Sequence, residues 1–330
     1  TLVAVEFGII LAALKTSNRV EDWQRLLFFD VAILSKPRRG VRSVDGLLAI
    51  VKQRLALWHQ HQYTALYDEI RAISGHNIAA PVLPCRTPEE ATEAARKRAI
   101  ALVRDAQIQR AAAAFDATPP VQPNDETFDK MLAMHPQGRP QPTEAEAPPP
   151  DRDTVESIKI TIGDIEKVLM PKKKGKAGSI DGMRPWHIRQ MLKVAGAEGH
   201  IQGGLCDIVQ RIARGNIPDH VRPYLGGAKL IALPKAGGKL RPIGMIAVLR
   251  VLAAGVLARQ HKGDFASFFM SKNQFGVGVD RGSEIVVNVL QKVCADYTDI
   301  YRRGDCLDYV VCSIDVKNAF NDGRRGIMLQ

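Results

Sequence analysis

A chain of 330 residues, at about 150 residues per domain, has room for roughly two domains and a real core. Its 45% hydrophobic and 25% charged content excludes a wholly disordered or collagen-like polypeptide. The net charge of +11 is unevenly placed: residues 1–150 carry 18 basic and 17 acidic side chains, and residues 151–330 carry 28 and 18, so the second half is the one suited to a polyanion.

Residues 1–116 read mainly as helix. Leu47, Leu48, Val51, Leu55 and Trp58 recur at helical spacing and predict one buried stripe. A second run, 88–114, is rich in Ala, Arg and Glu and opens with Pro and two Glu, as a helix start does. Lys36, Arg38, Arg39 and Arg42 form a short basic loop that reads as solvated. The composition then changes, with nine of the nineteen prolines falling within 117–150. Proline fixes φ and removes a donor, so this stretch is expected to be a semi-extended linker between a unit at 1–116 and a unit at 151–330.

In the second unit, Thr161 with Asp164 three positions later predicts a capped helix through Leu169, stopped by Pro171. A basic loop containing Lys172, Lys173, Lys174 and Lys176 leads to a helix opening at Pro185. Ile201, Leu205, Ile208, Val209 and Ile212 mark one face of a further helix ending at Gly215. Two extended runs, 229–233 and 240–243, flank a Gly-Gly turn and predict a hairpin. Helices are predicted near 247–260 and 283–301, and a β-branched run at 309–314 ends at Asp315. Interleaved helices and strands make this half a mixed α/β or α+β unit.

Five cysteines without a CxxC pair read as buried, reduced thiols, neither a zinc site nor a disulfide framework. The longest apolar stretch, 245–258, is interrupted by Arg250 and falls short of the ~20 residues of a membrane span, so no membrane partner is expected. The chain opens at Thr1, and the apolar segment 7–14 lacks the flanks of a signal peptide. The expectation is an intracellular protein, nuclear or cytoplasmic, cut from a longer reading frame.

Two stretches carry residues suited to chemistry. An aspartate at the end of a buried strand, Asp315, places a hard oxygen donor where Mg²⁺ and phosphate oxygens can meet; taken alone it reads better as a cap for the helix resuming near Lys317. The Gly-Gly hairpin presents Lys235, Lys239 and Arg241, two point charges and a planar fork able to fold over a triphosphate. Charged hairpins also serve simply to keep a sheet edge soluble.

Four blocks in order, GSIDGMRPWHIRQML at 178–192, LPKAGGKLRPI at 233–243, QFGVGVDRGSE at 274–284 and SIDVKNAFN at 313–321, resemble the reverse transcriptase domain of non-LTR retrotransposons over most of 154–330. The resemblance implies an α+β fold: a helical N-terminal region followed by the fingers and first palm strand of a right-hand polymerase. It implies template-directed DNA synthesis with an RNA template, a DNA primer and deoxynucleoside triphosphates as partners. Asp315 would be one of the carboxylates holding two Mg²⁺ ions about 3.5–4 Å apart, and the Val316 carbonyl would add a ligand. Phe320 would exclude a ribose 2′-hydroxyl by steric clash. Lys235 and Arg241 would grip the triphosphate, and Gln274 and Gly276 would pass near the template-side base pair. Lys172, Lys173, Lys174 and Lys176 would meet template or primer phosphates, a solvated loop being the alternative.

The family's second carboxylate motif, Tyr/Phe-x-Asp-Asp, does not occur in the sequence, which ends at Gln330 just past the first motif. One aspartate cannot hold both metals. The chain alone is therefore expected not to polymerise, with the rest of the palm and the thumb missing. The rival reading is a non-catalytic nucleic-acid-binding protein derived from such an element.

Overall fold

The computed structural model describes residues 1–35, 37, 43–78, 88–104, 106, 108–115, 121, 124–134, 152–170, 178–196, 198–235 and 239–302. Among them the fold is rich in helix, with a single two-stranded sheet, and belongs to the α+β class. No helix among the described residues is long and apolar enough to cross a membrane.

The first four helices are α1 (Leu2–Thr16), α2 (Val20–Leu34), α3 (Val44–His59) and α4 (Tyr63–Ile78). Phe7, Ile10, Leu11 and Leu14 of α1 are fully buried, the i, i+3, i+4, i+7 pattern of a core-facing stripe. Trp58 lies at the meeting point, 5.2 Å edge-on to Phe29 and 5.0 Å from Tyr63 between ring centroids. Its indole Nε1 donates to Glu6 Oε1 at 2.9 Å, and Glu6 Oε2 meets His59 Nε2 at 2.9 Å. Arg54, 1% exposed, donates from Nη1 to the carbonyls of Ile33 and Ser35 and from Nε and Nη2 to Glu69. One guanidinium thus satisfies the end of α2 and ties α3 to α4. The expected stripe on α3 is only half realised: Leu55 and Trp58 are buried, whereas Leu47 and Leu48 are exposed. The first turns of α3 extend past the body that covers its last two.

Next come α5 (Pro88–Arg104) and α6 (Ile108–Ala112), where one continuous run was expected. The break falls at Ala106, whose φ of 54° is left-handed and cannot continue a helix. Within the stretch expected to be linker, α7 (Asp125–Ala133) is helical. Asn124 caps it by accepting from the Thr127 N–H at 2.7 Å, acidic residues fill its first turn, and Met131 is buried.

After α8 (Arg152–Ser157), α9 (Ile162–Leu169) opens with the full capping box between Thr161 and Asp164. Then follow α10 (Pro185–Met191), α11 (Glu198–Ala213) and α12 (Arg222–Gly226). Ile201, Leu205, Ile208 and Val209 of α11 are fully buried, and Gly215 at φ +71° closes the helix in a Schellman arrangement, with Asn216 N–H to Arg211 O and Gly215 N–H to Ile212 O. Strands β1 (Ala228–Lys235) and β2 (Lys239–Ile246) pair antiparallel in a hairpin, followed by α13 (Val248–Gln260), α14 (Lys262–Met270) and α15 (Gly282–Arg302). Helix α14 has no counterpart among the predicted elements, although Phe265, Phe268 and Phe269 stand at helical spacing; none of its residues is buried.

One hydrophobic core unites residues from both sides of the proline-rich stretch: Phe7, Leu11, Phe29 and Trp58 share it with Ile165, Ile188, Leu205, Val209, Leu249 and Val256. The expected units 1–116 and 151–330 meet there through α1 on α11. A Cβ on Gly204 would lie 2.6 Å from Leu11 Cβ, so only glycine permits that approach. Among the described residues the reduced thiols expected to be buried divide: Cys206 is half-buried, with its thiol pushed up by burial, and Cys294 is exposed on α15, while Cys85, Cys306 and Cys312 lie outside the described residues.

These adjacent glycines should respond oppositely to one substitution. Gly204→Ala must displace Leu11 and should lower stability by roughly 1 kcal/mol or more in urea unfolding. Gly203→Ala meets nothing within 4 Å and should raise it by up to about 1 kcal/mol through helix propensity. Equal responses would show that α1 and α11 are not in close contact.

Candidate nucleic-acid and nucleotide interface

The hairpin register decides which of its cations act together. Lys235 pairs with Lys239, Leu233 with Arg241, Ile231 with Ile243 and Lys229 with Met245. Because side chains alternate along a strand and register partners share a face, Lys229, Lys235, Lys239 and Arg241 all stand on one face. All four are exposed, and among the described residues none of them is in an ion pair. Pro234 and Pro242 are tolerated because each strand of a two-stranded sheet is an edge.

The opposite face is covered in part. Ala232 is buried there, its carbonyl accepts from the Val121 N–H at 2.9 Å, and α7 packs against β2. The stretch expected to be linker therefore meets the hairpin, at the outer edge of β1 and at β2. At the other end, Ser179 Oγ donates to Met245 O at 2.9 Å, and Arg250 Nη1 donates to Gly226 O at 2.8 Å. The base of the hairpin is thus held by the loop at 178–183 and by the start of α13.

Gln274 and Gly276 lie on the turn between α14 and α15. Gln274 Oε1 accepts the Gly276 N–H at 2.7 Å, while the Gln274 N–H returns to Phe269 O at 2.9 Å. Gly278, at φ +72°, brings the turn against α14, where a Cβ would stand 2.8 Å from Ala266 N; Lys262 and Asp280 close the same turn as an ion pair. The side-chain oxygen of Gln274 is spent on its own turn, and the turn is tied to α14 through Phe269, Lys262 and Ala266. Lys172, Lys173, Lys174, Lys176, Asp315, Val316 and Phe320 lie outside the described residues. Among the described residues, no group of three or more His, Cys, Asp or Glu side chains is arranged to hold a metal.

The sequence alone does not reveal a polar cluster behind the hairpin. Asp30 on α2, 1% exposed, accepts the Nδ1–H of His187 on α10 at 2.7 Å. Asp181, 8% exposed, accepts the Met183 N–H at 3.1 Å, and burial pushes its carboxyl up to about 6, with the negative charge of Asp30 adding to the rise. Asp181 lies inside the block at 178–192, but its companion Asp30 is some 150 residues away. No local pattern could have joined them.

Compared with family models, curated proteins and solved structures, the chain matches none of them.

Removing the hydroxyl in Ser179→Ala leaves the Met245 carbonyl without its side-chain donor. Stability should fall by about 1 kcal/mol, and the amides of 243–246 should exchange faster than those of α11. Unchanged exchange at the hairpin would mean that the loop does not hold it.

Proposed function

We propose that this chain carries the fingers and first palm strand of an RNA-directed DNA polymerase, and that the β1–β2 hairpin closes over the triphosphate and the adjoining nucleic-acid backbone. The four ordered sequence blocks support the reading, and so does the charge of the second half. The observation that carries it is the pairing of Lys235 with Lys239. Like charges directly opposite on an antiparallel pair repel, and Arg241 adds a third positive charge two residues along the same face. A face built this way is relieved by an anion. Edge protection alone needs a single charge and no convergence on one side.

In this reading Lys235 and Lys239 act as compact charges on phosphate oxygens, and Arg241 engages two oxygens through its planar fork. Leu233 and Ile231 provide an apolar floor along the same face. Asp315, with the Val316 carbonyl, would hold Mg²⁺, whose part is to neutralise charge on the reacting phosphates. Phe320 would police the sugar. Lys172, Lys173, Lys174 and Lys176 would add sequence-independent phosphate contacts.

Binding to an RNA–DNA primer-template, followed by fluorescence anisotropy from low to high salt, should weaken linearly in log affinity against log salt. Replacing Lys235, Lys239 and Arg241 by Ala together should reduce that slope by about 2 to 3, at roughly 0.7–0.9 per phosphate contact. A slope left intact removes the hairpin from the interface. Absence of salt-dependent binding by the whole chain overturns the nucleic-acid reading. A photoreactive deoxynucleoside triphosphate should label the hairpin and be displaced by unmodified triphosphate; labelling confined to other segments would exclude the hairpin as its grip.

A further inference from the structure

We propose that Asp30, Asp181 and His187 form a proton-operated latch through which helix α2 sets the placement of the β1–β2 hairpin. The inference goes beyond the polymerase reading and does not depend on it.

The loop at 178–183 touches both partners at once. On the hairpin side, Ser179 Oγ donates to the carbonyl of Met245 in β2. On the α2 side, Gly182 at φ +72° sits so close to the helix that a Cβ would lie 3.3 Å from Val31 Cα. The residue before Val31 is Asp30, whose Oδ2 holds His187 three residues into α10. Between these contacts lies Asp181, tied by one oxygen to the Met183 N–H.

Two features make the cluster responsive. Both carboxylates are more than nine-tenths buried, and each keeps one buried oxygen without a hydrogen-bond partner, Oδ1 of Asp30 and Oδ2 of Asp181. Two like charges are therefore held close to a single imidazole. Arg54 and Arg184 line the cavity of about 490 Å³ that Asp30 and His187 also line, and Arg54 is committed to Glu69 and to the carbonyls of Ile33 and Ser35. A proton on Asp181 removes one of the two negative charges and turns an unpartnered acceptor into a donor.

The direction of the effect follows from the rise of Asp181 from 3.8 to about 6. A group whose folded pKa lies above its unfolded value binds its proton more tightly in the folded state. Its stabilising effect is complete below about pH 4, is lost as pH rises through 6, and stays lost above. The loop, and through Ser179 the base of the hairpin, is tight in mild acid and loosened near neutrality.

The test uses the full chain without nucleic acid, so a failed polymerase reading leaves it intact. Hydrogen exchange at the amides of 228–246, corrected for the intrinsic pH dependence of exchange, should lose protection as pH rises from 4 to 7.5, falling steadily to about pH 6 and levelling off above it. The loss should reach up to about 100-fold over that whole span, the equilibrium equivalent of a two-unit displacement, of which about tenfold falls above pH 5. Asp181→Asn keeps the acceptor for Met183 and cannot titrate; its protection should be high and flat across that range. His187→Asn should retain a pH-dependent loss set by Asp181. A pH profile that survives in Asp181→Asn, or one that vanishes only in His187→Asn, overturns the proposal. Should Asp181→Asn fail to fold, carboxyl titration of the unsubstituted chain by NMR decides: an Asp181 midpoint near 3.8 overturns the latch.

Discussion

The close approach of α1 to α11, made possible by the missing side chain at Gly204, is the constraint from which the rest of the arrangement follows. Leu11 occupies the space a Cβ would fill, and this brings the apolar stripes of two helices nearly two hundred residues apart into one core. Once there, α11 reaches outward with polar side chains. Arg211 donates to the carbonyls of Lys15 and Ser17, at the end of α1. Arg214 donates to Glu156 and Ile158, and Gln210 accepts from the Ile160 N–H. Backbone groups that a helix end or an irregular segment would leave unpaired are thereby satisfied by one helix. A second close approach repeats the device, since a Cβ on Gly255 of α13 would stand 2.8 Å from Val168 of α9.

Buried charge does a different job from apolar packing. Glu6, Asp30 and Arg54 each lie within the N-terminal helices at 5% exposure or less, and each is engaged by groups on another helix or at a helix end. Such groups add little net stability because desolvation offsets their attraction; removing one partner exposes the other to the full penalty. Their effect is on geometry. Glu6 admits one rotation of α1 against Trp58 and His59, and Arg54 admits one position for the end of α2, so Asp30 is delivered to His187 from a fixed direction.

What the sequence revealed and what it withheld divide along the range of the interaction. Thr161 and Asp164 lie three residues apart, and the capping box formed as expected. The α11 stripe and its glycine stop were legible for the same reason, as was the hairpin; that Lys235 and Lys239, read as part of its turn, belong to the strands and share a face with Arg241 follows only from the register. Helix α7 was hidden by the prolines around it, although Asn124 and two acidic residues form an ordinary helix start. Leu47 and Leu48 misled because periodicity identifies a face but not how far its cover extends. The pairing of Asp30 with His187 spans 157 positions and has no local signature. The whole link from the N-terminal helices to the hairpin was therefore invisible before the fold was known.

That link matters because of leverage. Eight residues per strand at about 3.3 Å each give the hairpin roughly 23 Å from its base to its Lys235–Lys239 end. The base is fixed by short-range contacts: Ala247 and Leu249 are buried in the core, Gly227 N–H returns to Pro223 O at 2.8 Å, and Ser179 holds Met245. A tilt of about 10° at the base would carry the far end some 4 Å, about the difference between a direct ion pair and one screened by water. The cations of the far end are thus positioned by residues that bear no charge themselves. A buried proton acting on the loop at 178–183 need change very little there to change how the charged end meets an anion.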